Sequence, residues 1–213
     1  MKKVVTIDFD FIMAPVIESY NNLLEDNYEV SDMIKDFPYM ASMQPDLYYY
    51  DFLTQYISAV FAGDKCNEVF FIDSHEEIIK CLENVNECKI VNIDHHHDVS
   101  YDEDEFKRPL LFNYNCGNWV KYLKDTGKMK EYTWICDENS VPLDEKHAAK
   151  YINHQIQFQD FKLLDLAEDT DILVICKSGK WVPESIQILY YTWQNYFETI
   201  QRIKNIPTVD ISD

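Results

Sequence analysis

The chain is poor in glycine and in basic residues. Four glycines in 213 residues leave no material for a collagenous repeat or a flexible Gly/Ser linker. Lys and Arg together number 19 against 38 Asp and Glu, a formal net charge of −19. Binding a nucleic-acid backbone requires clustered cations, so nucleic acid is not an expected partner. No apolar run approaches the ~20 residues that span a bilayer, and the opening MKKVVTIDFDF is interrupted by Asp8 and Asp10 too early for a signal peptide. The six cysteines contain no CxxC pair. Several lie inside apolar runs, which predicts reduced thiols and a cytoplasmic protein rather than a disulfide framework or a thiolate cage.

What is abundant is aromatic and apolar, with fifteen Tyr, twelve Phe and a hydrophobic fraction of 46%. That is enough to bury one sizeable core, and with no linker in sight we expect a single domain over 1–213. Residues 3–8, 68–73, 89–94 and 171–176 are short, Val/Ile/Phe-rich and scarcely alternating, as strands covered on both faces are, and 132–136 is a fifth candidate. Amphipathic stretches of helical length lie at 15–26, 46–62, 75–85, 117–126 and 184–204. Strands alternating with helices predict an α/β fold, a three-layer sandwich with a mostly parallel central sheet.

Three of these strands end in Ile-Asp, at Asp8, Asp73 and Asp94. Functional groups collect beyond the carboxyl ends of parallel strands, so neighbouring strands would bring these acids together. The third strand continues as Asp94-His95-His96-His97-Asp98, which holds half of the chain's six histidines. In extended geometry Asp94, His96 and Asp98 share one side, while His95 and His97 face away. Carboxylate–imidazole–carboxylate suits Mn²⁺ and, less selectively, Zn²⁺ or Fe²⁺. Asp8 and Asp10 again share a side, and His75 follows the second strand. So many carboxylates at one rim repel one another unless cations are bound, and two divalent ions would relieve the repulsion. Taken alone, a DxD is more often a turn or cap, and isolated histidines such as His147 and His154 are more often surface groups.

Together, IDFDF, IDSHEE, NIDHHHD and NCGNW resemble the arginase-like metallohydrolases, in particular the small branch containing the peptide arginases, which convert arginine side chains in peptides to ornithine. The resemblance runs to about Trp119. The DxD comes first here, whereas in arginases proper it comes last. The resemblance implies an arginase/deacetylase-like sandwich with two Mn²⁺ ions. His75, Asp94, Asp98 and Asp8 would hold one ion, and His96, Asp94, Asp8 and Asp10 the other, with Asp94 and Asp8 bridging. Asp73 has no counterpart and would support a ligand. It further implies hydrolysis of a guanidinium to ornithine and urea. Asp10 or Asp98 would orient the attacking water, with His97, His95 or His154 as proton shuttle. Asn115, Cys116 and Asn118 lie on a loop-to-helix turn facing the rim, while Trp181 and Glu184 could line a pocket, Glu184 as a guanidinium partner. For Asn118 and Glu184 the plainer roles are an N-cap and a first-turn helix acid.

The acidic loop from Asp102 to Glu105 would favour an arginine-containing peptide or protein over free arginine. Two alternatives stand beside this reading. The DHH phosphoesterases use an early DxD, a middle aspartate and an Asp-His-His, which Asp8/Asp10, Asp73 and Asp94-His95-His96 would supply. That family expects a histidine where Val4 stands, however, and leaves Asp98 without a role. A noncatalytic binding domain stabilised by metal is the other.

Overall fold

A computed structural model of the chain describes residues 1–13, 44–100, 114–138, 140, 146–179 and 182–204. Its centre is a six-stranded sheet. In chain order the strands are β1 (Lys2–Asp8), β2 (Glu68–Ile72), β3 (Cys88–Ile93), β4 (Met129–Cys136), β5 (His154–Gln157) and β6 (Ile172–Cys176). Their spatial order is β2-β6-β1-β3-β4-β5, and all five pairings are parallel. The expected strands are all present within a residue or two, apart from an earlier start of β4 at Met129. The short edge strand β5, HQIQ, is additional. It carries one apolar residue in four, too weak a pattern to read in advance.

Helices cover both faces of the sheet. On one, Val5, Ile7, Val91, Ile93, Leu173 and Ile175 pack beneath α1 (Leu47–Ala62), α5 (Leu163–Ala167) and α6 (Glu184–Lys204). On the other, Val4, Ile90, Tyr132, Trp134 and Val174 meet α2 (Ile78–Cys81), α3 (Trp119–Asp125) and α4 (Lys146–Ala149). The long α6 buries Ile186, Tyr190, Trp193 and Phe197, a stripe at spacings of four, three and four residues, as one helix face requires. Asp46 caps α1 by accepting from the Tyr48 and Tyr49 N–H groups. The predicted helix at 75–85 is instead a 3-10 turn, His75–Glu77, running into the single turn of α2. The one predicted at 15–26 lies outside the described residues.

Strand order corrects one expectation. β1 and β3 are neighbours, but β6 lies between β1 and β2, so the three Ile-Asp ends do not converge. Asp73 is exposed and pairs with Lys177, while Asp8 and Asp94 end adjacent strands.

Candidate metal centre

The side-chain alternation of β1 and β3 aims the site. Val4, Thr6 and Asp8 share one face of β1. Ile90, Asn92 and Asp94 share the same face of β3, because Val4 is in register with Ile90 and Thr6 with Asn92. The apolar member of each series joins the core, and the two polar members lead to the rim. Thr6 and Asn92 are completely buried, a costly placement unless each has a partner. Thr6 Oγ1 lies 2.7 Å from His75 Nε2, and Asn92 Nδ2 donates to Asp94 Oδ2 at 3.1 Å.

With Nε2 engaged by Thr6, His75 presents Nδ1 to three carboxylate oxygens: Asp98 Oδ2 at 3.1 Å, Asp8 Oδ2 at 3.2 Å and Asp94 Oδ2 at 3.3 Å. Nδ1 is nevertheless buried without a hydrogen-bond partner. Two ligands of one ion bound at about 2.1 Å stand roughly 3.0 Å apart in octahedral and 3.4 Å in tetrahedral geometry. The three nitrogen–oxygen spacings fall in that range.

Asp94 also reaches a second group. Its Oδ1 lies 3.5 Å from His96 Nδ1, and Asp10 Oδ2 lies 3.6 Å from the same nitrogen. Asp94, Asp10 and His96 thus form one candidate ligand triad and His75, Asp94 and Asp98 another, with Asp94 shared. Asp8 does not bridge in this arrangement. Its Oδ2 faces His75, while its Oδ1 accepts from the Asp10 N–H and from the Ser178 hydroxyl. The DxD is therefore both a cap, with Asp8 preceding a 3-10 turn at Phe9–Ile12, and a pair of candidate ligands.

Asp94, His96 and Asp98 do come together, although not by the expected route. β3 ends at Ile93, and residues 94–96 bend. Asp98 adopts φ 51°, left-handed backbone that a non-glycine residue avoids. The Trp119 indole donates to Asp98 Oδ2 at 2.6 Å and packs on His75, with ring centroids 5.0 Å apart. Ser178, which bonds Asp8, is the other non-glycine residue with positive φ among those described. Both strained residues therefore hold carboxylates of this cluster.

The electrostatics are those of crowded carboxylates offset only by protons. Two unit charges 4 Å apart interact by about 4 kcal/mol at an effective dielectric of 20. Two or three such repulsions rival a whole folding free energy of about 5–15 kcal/mol. Burial pushes Asp98 up to about 7, with the Asp94 charge adding to it. Burial, then the charges of Asp8 and Asp94, holds Asp10 well above the carboxylate range. Burial opposes charge on His96, but Asp94 and Asp10 outweigh it and raise this imidazole to about 10. The same contest raises His75 through Asp8, Asp94 and Asp98. Asp94 moves the other way, because its two histidines overcome the cost of burial.

The remaining candidates are dispersed. His95 Nδ1 faces Asp137 Oδ1 at 3.2 Å, and its ring lies 4.9 Å from that of Phe11. His97 is buried beside Trp134, with Nδ1 accepting from the Val99 N–H at 3.2 Å. His154 begins β5 and faces Glu131 on the exposed strand edge, outside the cluster. Asn118 Oδ1 accepts from the Asn115 N–H, and Asn115 Oδ1 accepts from the Gly117 N–H. Both amides thereby shape the turn before α3, and Asn118 makes no side-chain cap bond. Cys116 is near enough to the cluster that burial, then the Asp98 charge, pushes its thiol up to about 12. Glu184 is the exposed first residue of α6. Trp181 and the acidic loop at 102–105 lie outside the described residues.

Thr6, Asn92 and Ser178 have roles that the sequence reading missed. For the first two a signal existed: VVTID and IVNID each place one polar residue two positions before the terminal aspartate, and that face is buried. Ser178 acts through strand order, which no local pattern reports.

The donors fit divalent metal ions. Among the described residues, the buried side-chain polar atoms with no hydrogen-bond partner are Asp10 Oδ1, His75 Nδ1, Asn92 Oδ1 and His95 Nδ1, all on residues at or beside this rim. Orphaned buried groups are rare enough to require an explanation, and a bound divalent ion would supply one. No family model, curated protein or solved structure matches the chain.

Proposed function

We propose that the protein is a binuclear metal hydrolase of the arginase-like type, acting on the guanidinium of an arginine side chain in a peptide or protein to give ornithine and urea. The observation that carries this reading is His75 Nδ1, buried, without a hydrogen bond, and 3.1–3.3 Å from three carboxylate oxygens. His75, Asp8, Asp94 and Asp98 would hold one ion, and Asp94, Asp10 and His96 the other. Mn²⁺ is the ion such a carboxylate-rich set suits. When bound, two such ions lower the pKa of water toward neutrality and so supply a nucleophile.

The chain's own groups do the rest. Asp94, with one oxygen turned to each triad, sets their spacing. Asp10 Oδ1 has no partner and is free to accept a hydrogen bond from attacking water or from a guanidinium N–H. Of the three candidate shuttles, His97 is sealed under Trp134 and His154 stands on a distant edge. His95, at the rim with Nδ1 unbonded, is the one placed to pass a proton to the leaving amine. The negative surroundings favour a cationic substrate.

Two placements count against the phosphoesterase alternative. Asp73, which that scheme needs as a ligand, is exposed and paired with Lys177. His95, which it also needs, faces Asp137 instead of the cluster. The test is to load the protein with Mn²⁺, incubate it with arginine-containing peptides and with free arginine, and follow urea and peptide mass. Urea with an ornithine-sized mass loss on peptides is expected. Turnover of free arginine alone would reassign the substrate. Phosphodiester cleavage without urea would favour the phosphoesterase, and bound metal without any turnover would favour a binding domain.

A further inference from the structure

Cys176 ends β6 directly opposite Asp8 on β1 and is completely buried. Its sulfur, a carboxylate oxygen of Asp8 and a ring nitrogen of His75 all lie within 4.8 Å of one another. Ligands on opposite sides of one ion are separated by roughly 4.4 Å when one is sulfur at about 2.3 Å and the other oxygen or nitrogen at about 2.1 Å. A shift of at most a few tenths of an ångström therefore brings the three atoms around one ion. His75 Nε2 is committed to Thr6, which leaves the orphaned Nδ1 as the available nitrogen. Sulfur's other neighbours are weak ones, the Asp73 carbonyl at 3.8 Å and the Ser178 hydroxyl at 3.7 Å. With Nδ1 as that nitrogen, which Asp8, Asp94 and Asp98 all face, the triad Asp8, His75 and Cys176 meets the triad His75, Asp94 and Asp98 at one atom, and one nitrogen serves one ion.

We propose that Cys176 is a ligand of the ion held by His75, which makes this half of the centre thiophilic and selective for Zn²⁺ or Co²⁺ over Mn²⁺. The inference rests on the metal-centre reading but not on the substrate. On binding, the sulfur–hydrogen bond breaks, a sulfur–metal bond forms and the proton leaves to solvent, so no oxidant or reductant is needed. The other half, with only Asp10, Asp94 and His96, keeps the harder donor set that suits Mn²⁺. The two ions would then differ.

The experiment is titration of the metal-free full chain with Co²⁺, reading bound cobalt, the visible ligand-field bands and the near-ultraviolet sulfur-to-cobalt charge-transfer band. The charge-transfer band is expected in the unaltered protein and in Cys116→Ser, and is expected to vanish in Cys176→Ser while the ligand-field bands persist. Cys176→Ser should also lose at least tenfold in preference for Zn²⁺ over Mn²⁺ in a competition measured by metal content. Bound cobalt with no charge-transfer band, or a band that survives Cys176→Ser, overturns the assignment of Cys176 and leaves the metal centre standing. Absence of bound cobalt overturns the metal centre and this inference with it. Circular dichroism on each variant, with Cys176→Ala as a second replacement, separates loss of a ligand from loss of the fold.

Discussion

His75 and His95 both present Nδ1 to carboxylate oxygen, and both nitrogens lack a hydrogen bond, yet their surroundings are opposite. His75 faces three carboxylates, has its far nitrogen bonded to Thr6 and is covered by Trp119. His95 faces Asp137 and lies against Phe11. One proton can satisfy a single carboxylate but not three that converge on one point. A single carboxylate beside a histidine is an ordinary arrangement, whereas three focused on one nitrogen leave negative charge that one imidazole proton does not offset.

The most severe way to break this contrast is Asp94→Ala, which removes the group common to both triads. It should cost more than the roughly 10–100-fold expected from loss of a group that merely supports a ligand, with metal content falling and hydrolysis lost. Full metal occupancy in that variant would refute the shared role. Next in size are Thr6→Val and Trp119→Phe, each of which deletes one hydrogen bond that orients His75 or Asp98. We expect each to weaken metal binding about 10–100-fold, read by equilibrium competition with a chelating dye, and unchanged affinity would show that the ligands hold themselves in place.

A pH titration sharpens the same contrast. Asp98 is raised to about 7, so it contributes stability below the usual carboxylate range, and that contribution is lost as pH climbs toward 7. His96 is raised to about 10, so its contribution is complete below the ordinary imidazole pKa near 6.5 and is lost as pH rises through 10. Both act in one direction. The melting temperature of the metal-free protein should fall by several degrees between about pH 4 and 10, and saturating metal should flatten that slope. A metal-free profile that rises across this range would contradict the uncompensated cluster. The smallest effect belongs to His95→Ala, which should retain full metal content and lose about 1 kcal/mol of stability with its Asp137 and Phe11 contacts, measured by urea unfolding. Loss of metal there would erase the difference between the two histidines.

All six thiols are free, and no helix among the described residues is long and apolar enough to cross a membrane. Both agree with what spacing and run length had indicated. The parallel α/β sheet and five of its strands were legible because buried strands in such a sheet need uninterrupted apolar runs, which VVTID, EVFFI and ILVIC display. DHHHD stood out because three adjacent histidines beside a core each need a partner, and they find different ones: Asp137 for His95, Asp10 and Asp94 for His96, and the Val99 N–H for His97.

The sequence by itself determined the candidate donors, because chemistry resides in residue type: four aspartates and two histidines at or just beyond strand ends, within a chain poor in basic residues. Tertiary structure decided which of them meet. β6 separates Asp73 from its apparent equivalents, bends at 94–96 and the left-handed Asp98 turn three candidate ligands inward, and Cys176 at the end of β6 and Ser178 just beyond it arrive beside Asp8 from more than 160 residues later. Local patterns encode which face of a strand is buried. Strand order is set by the energy of the whole packed sheet, so proximity between distant strand ends becomes readable only once that sheet has formed.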